Sequence, residues 1–212
     1  MGFIVEVFTD LTKDELLYEM QRASNQSYKH YRAFIFVILT HGDGEELWAT
    51  DAPLHIQDIT QPFKNSTKLD GIPKVFFIEE GRCMGDSPEY IAHSGTFPET
   101  TFRVDQSECV EKTVKLDLSD FLLVCSTVSG HNSWLNPIGG SWFVQALCMV
   151  LGAHARDMDL VRMLVKVNEL VSRQQCSLLG DGQEAIYNGR QVASVVSQLR
   201  KELYFFPPTM SR

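Results

Sequence analysis

Three short runs of nearly unbroken apolar sequence constrain this chain most: Ala33-Phe-Ile-Phe-Val-Ile-Leu-Thr40, Lys74-Val-Phe-Phe-Ile78 and Phe121-Leu-Leu-Val-Cys125. The first is closed by Gly42, and the second is introduced by Gly71 and Pro73. Runs of this length, bounded by turn residues, read as strands covered on both faces, as in a parallel sheet. Between and after them the spacing is helical. Thr12-Lys-Asp-Glu15 is a capping box, opening a helix whose apolar face is Leu16, Leu17, Met20 and Ala23. Leu54–Phe63 has room for a short helix. Ser141 caps a helix carrying Phe143, Ala146, Leu147, Val150 and Leu151 on one face. A further helix is expected from about Arg156 to Ser172, burying Leu160, Leu164, Val167 and Val171. Val192, Val195, Val196 and Leu199 also repeat at helical spacing. Phe3–Phe8 and Leu203-Tyr-Phe-Phe206 read as strands, the second stopped by Pro207-Pro208. Strands alternating with helices predict a layered α/β fold with a mostly parallel sheet.

Composition excludes several classes. With 44% hydrophobic and 22% charged residues, the chain is of ordinary globular type, neither disordered nor collagen-like. A length of 212 residues suits one domain or two. A formal net charge of −8 disfavours sequence-independent nucleic-acid binding. No apolar run approaches the ~18–20 residues of a membrane span. Met1–Asp10 lacks the pattern of a signal peptide, and the expectation is a cytoplasmic protein. Five cysteines, at 83, 109, 125, 148 and 176, form no C-x-x-C pair, so neither a zinc ribbon nor a redox motif is expected. Cys125 and Cys148 lie in apolar stretches and read as small core residues. No metal or cofactor is implied. The N-x-S/T matches at Asn25–Ser27 and Asn65–Thr67 read as chance in that setting.

In a parallel sheet, chemistry sits beyond the carboxyl ends of strands. Two loops follow such ends: Thr40-His41-Gly42-Asp43-Gly44 and Glu79-Glu80-Gly81-Arg82-Cys83. Gly42-x-Gly44 lacks the third glycine, the following helix and the lysine of a phosphate loop. No G-x-S-x-G elbow exists. From Met84 to Leu116 the periodicity stops, and a loop that long inside a compact domain is usually functional or disordered.

Taken together and in order, these pieces are far more specific. Val37-Ile-Leu-Thr-His41-Gly42 resembles the caspase strand that ends in the catalytic His-Gly. Pro73-Lys-Val-Phe-Phe-Ile-Glu-Glu-Gly-Arg82 resembles the strand that ends in the caspase nucleophile motif Q-A-C-R-G. Asp120–Thr127, Ser133-Trp-Leu-Asn136, Gly140–Cys148 and Lys201–Phe205 resemble consecutive landmarks of a caspase small subunit. The resemblance runs from about Gly2 to Phe206. It implies a three-layer α/β/α sandwich over 1–212, apparently without the family's first strand–helix unit. It divides the chain into a large-subunit-like part (1–83), an intersubunit linker (84–116) and a small-subunit-like part (117–212).

The departures from that family decide the expected function. Laid on Q-A-C-R-G, the nucleophile position is Gly81, which has no side chain to attack a carbonyl. His41 is left as a base without a thiol. The N–H groups of Gly42 and residue 81 would be remnants of an oxyanion hole, and in a serine-protease triad such remnants leave only ~10³–10⁴-fold catalysis over water. The family's aspartate pocket would be lost as well. Its glutamine matches Glu79, the arginine of its S-W-R-N segment matches Leu135, and Asn132 stands where an aromatic often packs on substrate. Ser133 keeps its family identity, and Trp134 and Trp142 match aromatics lining the neighbouring subsite. A substrate carboxylate there would forgo charge-assisted bonds of ~1.5–3 kcal/mol each. It would also face Glu79 with a repulsion of order 4 kcal/mol at most.

The resemblance therefore implies a decoy that heterodimerises with an active caspase, or pairs with itself, through the strand Leu203–Phe206. An apolar edge without a partner is an aggregation hazard. Val104-Asp105 offers such a partner a cleavage site. The competing expectation is a divergent cysteine endopeptidase using Cys83 with His41. It is disfavoured because Cys83 lies two residues from the nucleophile position, about 6–7 Å along an extended chain.

Overall fold

A computed structural model describes residues 2–42, 46–80, 119–127, 133, 135–136, 140–174, 176–180, 183–187 and 191–206, with backbone alone at 135–136, 176–180 and 183–187. In chain order the elements begin with α1 (Lys13–Asn25), β1 (Phe34–Thr40), β2 (Glu46–Trp48), β3 (Pro53–His55), α2 (Ile56–Lys64) and a single 3₁₀ turn (Thr67–Leu69). They continue with β4 (Lys74–Glu80), β5 (Phe121–Cys125), β6 (Leu135–Asn136), β7 (Gly140–Ser141), α3 (Trp142–His154) and α4 (Leu160–Ser172). They close with β8 (Cys176–Gly180), β9 (Gln183–Tyr187) and β10 (Ser194–Ser197). All fall within one compact unit, Met1–Arg82 with Leu118–Arg212.

The central sheet has the order β1-β4-β5-β10. β1, β4 and β5 run parallel and β10 antiparallel to β5. β4, in the middle, is buried at all seven of its residues. Because side chains alternate across a strand, β4 and β5 feed two separate cores. Val75, Phe77, Leu122 and Val124 pack with Phe143, Leu147 and Val150 of α3 and Leu160, Leu164, Val167 and Val171 of α4. Phe76, Ile78 and Phe121 pack with Met20 of α1 and Ile59 and Phe63 of α2. The result is an α/β/α sandwich, the fold class implied by the alternating strands and helices. Helix starts follow local chemistry. Thr12 and Glu15 form the capping box of α1, Ser141 accepts the Val144 N–H at α3, and Asp159 accepts the Arg162 N–H at α4.

Five expectations need correction. Phe3–Phe8 belongs to no strand: Ile4, Val5 and Val7 are exposed. Its contacts are local and ionic or aromatic, Glu6 with Arg22 and Phe3 edge-on to Phe205. Strand propensity without a neighbouring strand makes no ladder. β1 is not covered on both faces. It ends the sheet, and Val37 (55%) and Leu39 (62%) are exposed. The Val192–Leu199 stretch is not a helix. Its β-branched valines form β10, with Val195 opposite Val124 and Val196 opposite Leu123. Leu203–Phe206 is not a strand within the single chain. Leu203 is buried, Tyr204 and Phe205 are half-buried and Phe206 is exposed, while Phe205 packs against the α3–α4 core. Cys148 is exposed on α3 rather than in the core; Cys125 does border the α1–α2 core. A boundary also moves: α4 opens at Leu160, after its Asp159 cap, rather than near Arg156. The expected linker, 84–116, lies outside the described residues.

Candidate functional site

The carboxyl ends of β1, β4 and β5 lie side by side. In the β1–β4 ladder Thr40 is opposite Glu80, so the chain leaves both strands at the same level of the sheet. This is the juxtaposition that the two sequence loops required. His41 follows β1, is exposed, and its carbonyl accepts the Trp48 N–H at 2.8 Å. Gly42 forms a bridge to Leu47. A Cβ added at Gly42 would lie 2.7 Å from the Glu46 carbonyl oxygen and 2.9 Å from Glu80 Oε2. Only glycine lets the turn approach β4 this closely. Gly81, Cys83, Asp105, Asn132 and Trp134 lie outside the described residues.

The best-defined chemistry is at the end of β4. Glu79 is 6% exposed, and its two carboxylate oxygens accept the hydroxyls of Ser133 and Ser141, each at 2.6 Å. Ser141 is at the same time the N-cap of α3, so the carboxylate reaches the helix start through one hydroxyl. Ser133 Oγ also accepts from Gln191 Nε2 at 3.1 Å, and Gln191 donates to the Ser126 carbonyl at 2.8 Å. Gln191 is fully buried. The network thus ties the ends of β4 and β5, the start of α3 and the approach to β10. Burial raises the Glu79 pKa above the ordinary carboxylate value, with the serine hydroxyls opposing that rise.

The sequence-predicted residues are partly brought together. Leu135 stands opposite Ser141 in the β6–β7 ladder, so the backbone at 135 shares this locality with Glu79, Ser133 and Ser141. Trp142 opens α3 next to it and is half-buried. Leu203–Phe206 is not part of this network: the Leu203 carbonyl accepts the Leu160 N–H at the start of α4. Sequence reasoning missed Gln191 altogether, because a glutamine four residues before a valine run carries no signal. Ser141 was legible only as a cap. Its second bond needs the tertiary approach of β4.

Cys125 is the only described cysteine near this end of the sheet. Burial, with the Glu80 charge adding, pushes its thiol up to about 11. It is therefore protonated at neutral pH and a poor nucleophile. Among the described residues no group of three or more His, Cys, Asp or Glu could hold a metal ion. No described helix is long and apolar enough to cross a membrane.

A parallel three-stranded core flanked by helix pairs, with His-Gly leaving one strand beside the end of the next, defines a caspase-type α/β sandwich. Residues 1–204 match the Caspase domain, and the chain belongs to the caspase family. It is 33% identical over 199 residues to caspase-3 of Mesocricetus auratus, covering 93% of this chain and 68% of that protein. It is 32% identical over 208 residues to caspase-7 of Gallus gallus, covering 97% and 65% respectively. Caspase-6 of Gallus gallus is 31% identical over 213 residues, covering 98% and 69%. The chain thus spans about two thirds of the length of these relatives.

Proposed function

We propose that this chain is a non-catalytic caspase homologue that regulates apoptosis-type proteolysis in the cytoplasm by pairing with an active caspase. The observation that carries the reading is the end of β4. Glu79 and Glu80 close the strand and Gly81 follows. The resemblance asks for a thiol at Gly81, where no side chain exists to supply one. The buried Glu79 network supports the same conclusion for recognition. A negative charge held by Ser133 and Ser141, with Leu135 alongside, disfavours the aspartate side chain that a caspase pocket takes. What remains is a scaffold able to bind. Its proposed pairing surface is Leu203–Phe206, which holds exposed or half-buried aromatic rings, Tyr204 stacked on Phe206 among them. Asp105 is the proposed processing site, cut by the partner. No cofactor is needed.

The test is co-expression with active caspases, measuring co-purification and the partner's turnover together. Binding with a changed turnover is the expected result, and the direction of change tells activator from inhibitor. Hydrolysis of aspartyl reporters by the purified chain alone would overturn the reading. So would labelling of Cys83 by a peptidyl electrophile that depends on His41, which identifies the divergent endopeptidase instead.

A further inference from the structure

The sheet ends at β1, and this end carries none of the usual protection. Among the described residues no strand pairs with the outer edge of β1. An edge strand leaves alternate N–H and C=O groups open to another chain, and proteins blunt it with lysine, proline or a bulge. Phe34-Ile-Phe-Val-Ile-Leu-Thr40 holds no charged residue and no proline. On one face Phe34, Phe36 and Ile38 pack on the α1–α2 core. On the other, Ile35 borders the α3–α4 core, but Val37 and Leu39 are 55% and 62% exposed. Trp48, 49% exposed, is fixed at the end of the strand by its N–H to the His41 carbonyl and its carbonyl to the Thr40 hydroxyl.

We propose that the β1 edge is an interface with a second copy of this chain, the two β1 strands pairing antiparallel about a two-fold axis. The strand's own symmetry argues for that occupant. Centred on Val37, antiparallel pairing sets Val37 against its copy, Ile35 against Leu39 and Phe36 against Ile38. Every one of these cross-strand pairs is apolar. Ile35, Val37 and Leu39 share a face, so the two exposed side chains of each copy join one continuous stripe across the dyad. A strand bearing charges would find nothing in β1 to answer them. Such an interface is isologous and closes at two copies. The opposite edge, β10, is only four residues long and begins and ends in serine. The β1 interface does not depend on the regulatory reading, whose proposed surface is Leu203–Phe206.

Sedimentation equilibrium of the purified chain tests this. The expected result is a reversible species of twice 24.0 kDa. The pair Val37→Lys and Leu39→Lys returns it to 24.0 kDa, because like charges then meet across the dyad. Val196→Lys, on the β10 edge, leaves it dimeric. Antiparallel partners have Cα atoms about 4.5–5.5 Å apart, within disulfide reach of about 4.4–6.8 Å. Oxidised Val37→Cys therefore yields a cross-link between the two copies' position 37, read by mass spectrometry. A chain that stays monomeric at every concentration overturns the proposal. So does a dimer that survives both lysines and gives no such cross-link. If the lysine variant loses its cooperative melt, the cross-link alone decides.

Discussion

Glu79 shows how a single residue takes its character from its surroundings. In the sequence it is one of two adjacent acids on a strand, with a solvated or structural role expected. In the fold both Glu79 and Glu80 are buried, and Glu79 is bound by two serines from distant parts of the chain. Its raised pKa has a definite consequence for stability. A carboxyl that holds its proton more tightly when folded favours the folded state most at low pH. That contribution fades as pH rises through the folded pKa, and above it the buried charge is a standing cost. Glu79→Gln removes the titration. Relative to the parent, the variant is expected to melt higher at pH 8 than it does at pH 4, by about 2–4 °C for each kcal/mol of difference. Melting curves across that range check this, and a pH-independent difference would refute it.

At the scale of elements, helices were the most legible parts of the sequence. α1, α3 and the body of α4 follow from a cap plus an apolar face, and both are local properties. Asp159 illustrates it: 4% exposed, it accepts the Arg162 N–H at 3.2 Å at the start of α4. Asp159→Ala is expected to cost ~1 kcal/mol, within a range of about 0.5–2, whereas Asp159→Asn keeps most of the cap. Thermal melts of the two variants side by side check it, and equal losses would refute it. Strands were less legible. β4 and β5 declared themselves through unbroken apolar runs, but β10 shared its spacing with a helix. Phe3–Phe8 and Leu203–Phe206 have strand composition without strand structure. A ladder is a relation between two segments, and no single segment contains it. The hairpins β2–β3, β6–β7 and β8–β9 passed unread for the same reason.

At the scale of the whole molecule, the candidate site is a convergence. Glu79 comes from β4, Ser133 and Leu135 from the approach to β7, Ser141 and Trp142 from the start of α3, and Gln191 from the approach to β10. No single substitution rebuilds such an assembly. Gly81→Cys restores a thiol but leaves the Glu79 charge and Leu135 in place, so turnover of aspartyl reporters is expected to stay at background. Robust cleavage by that variant would refute the reading of the pocket. The His-Gly turn and its neighbouring strand end were legible because they are consecutive residues at a fixed register. The serine–glutamine network was not, because its members lie 54 to 65 residues apart along the chain.

The sequence by itself determined the layered α/β architecture, the main helices with their caps, the family, and the glycine at position 81. Each follows from short-range pattern and from which atoms a residue possesses. Only the tertiary structure decided which apolar runs become central and which become an exposed edge, and whether a carboxylate is solvated or enclosed. Burial and pairing depend on what the rest of the chain brings alongside, and that information is spread over residues far apart in the sequence.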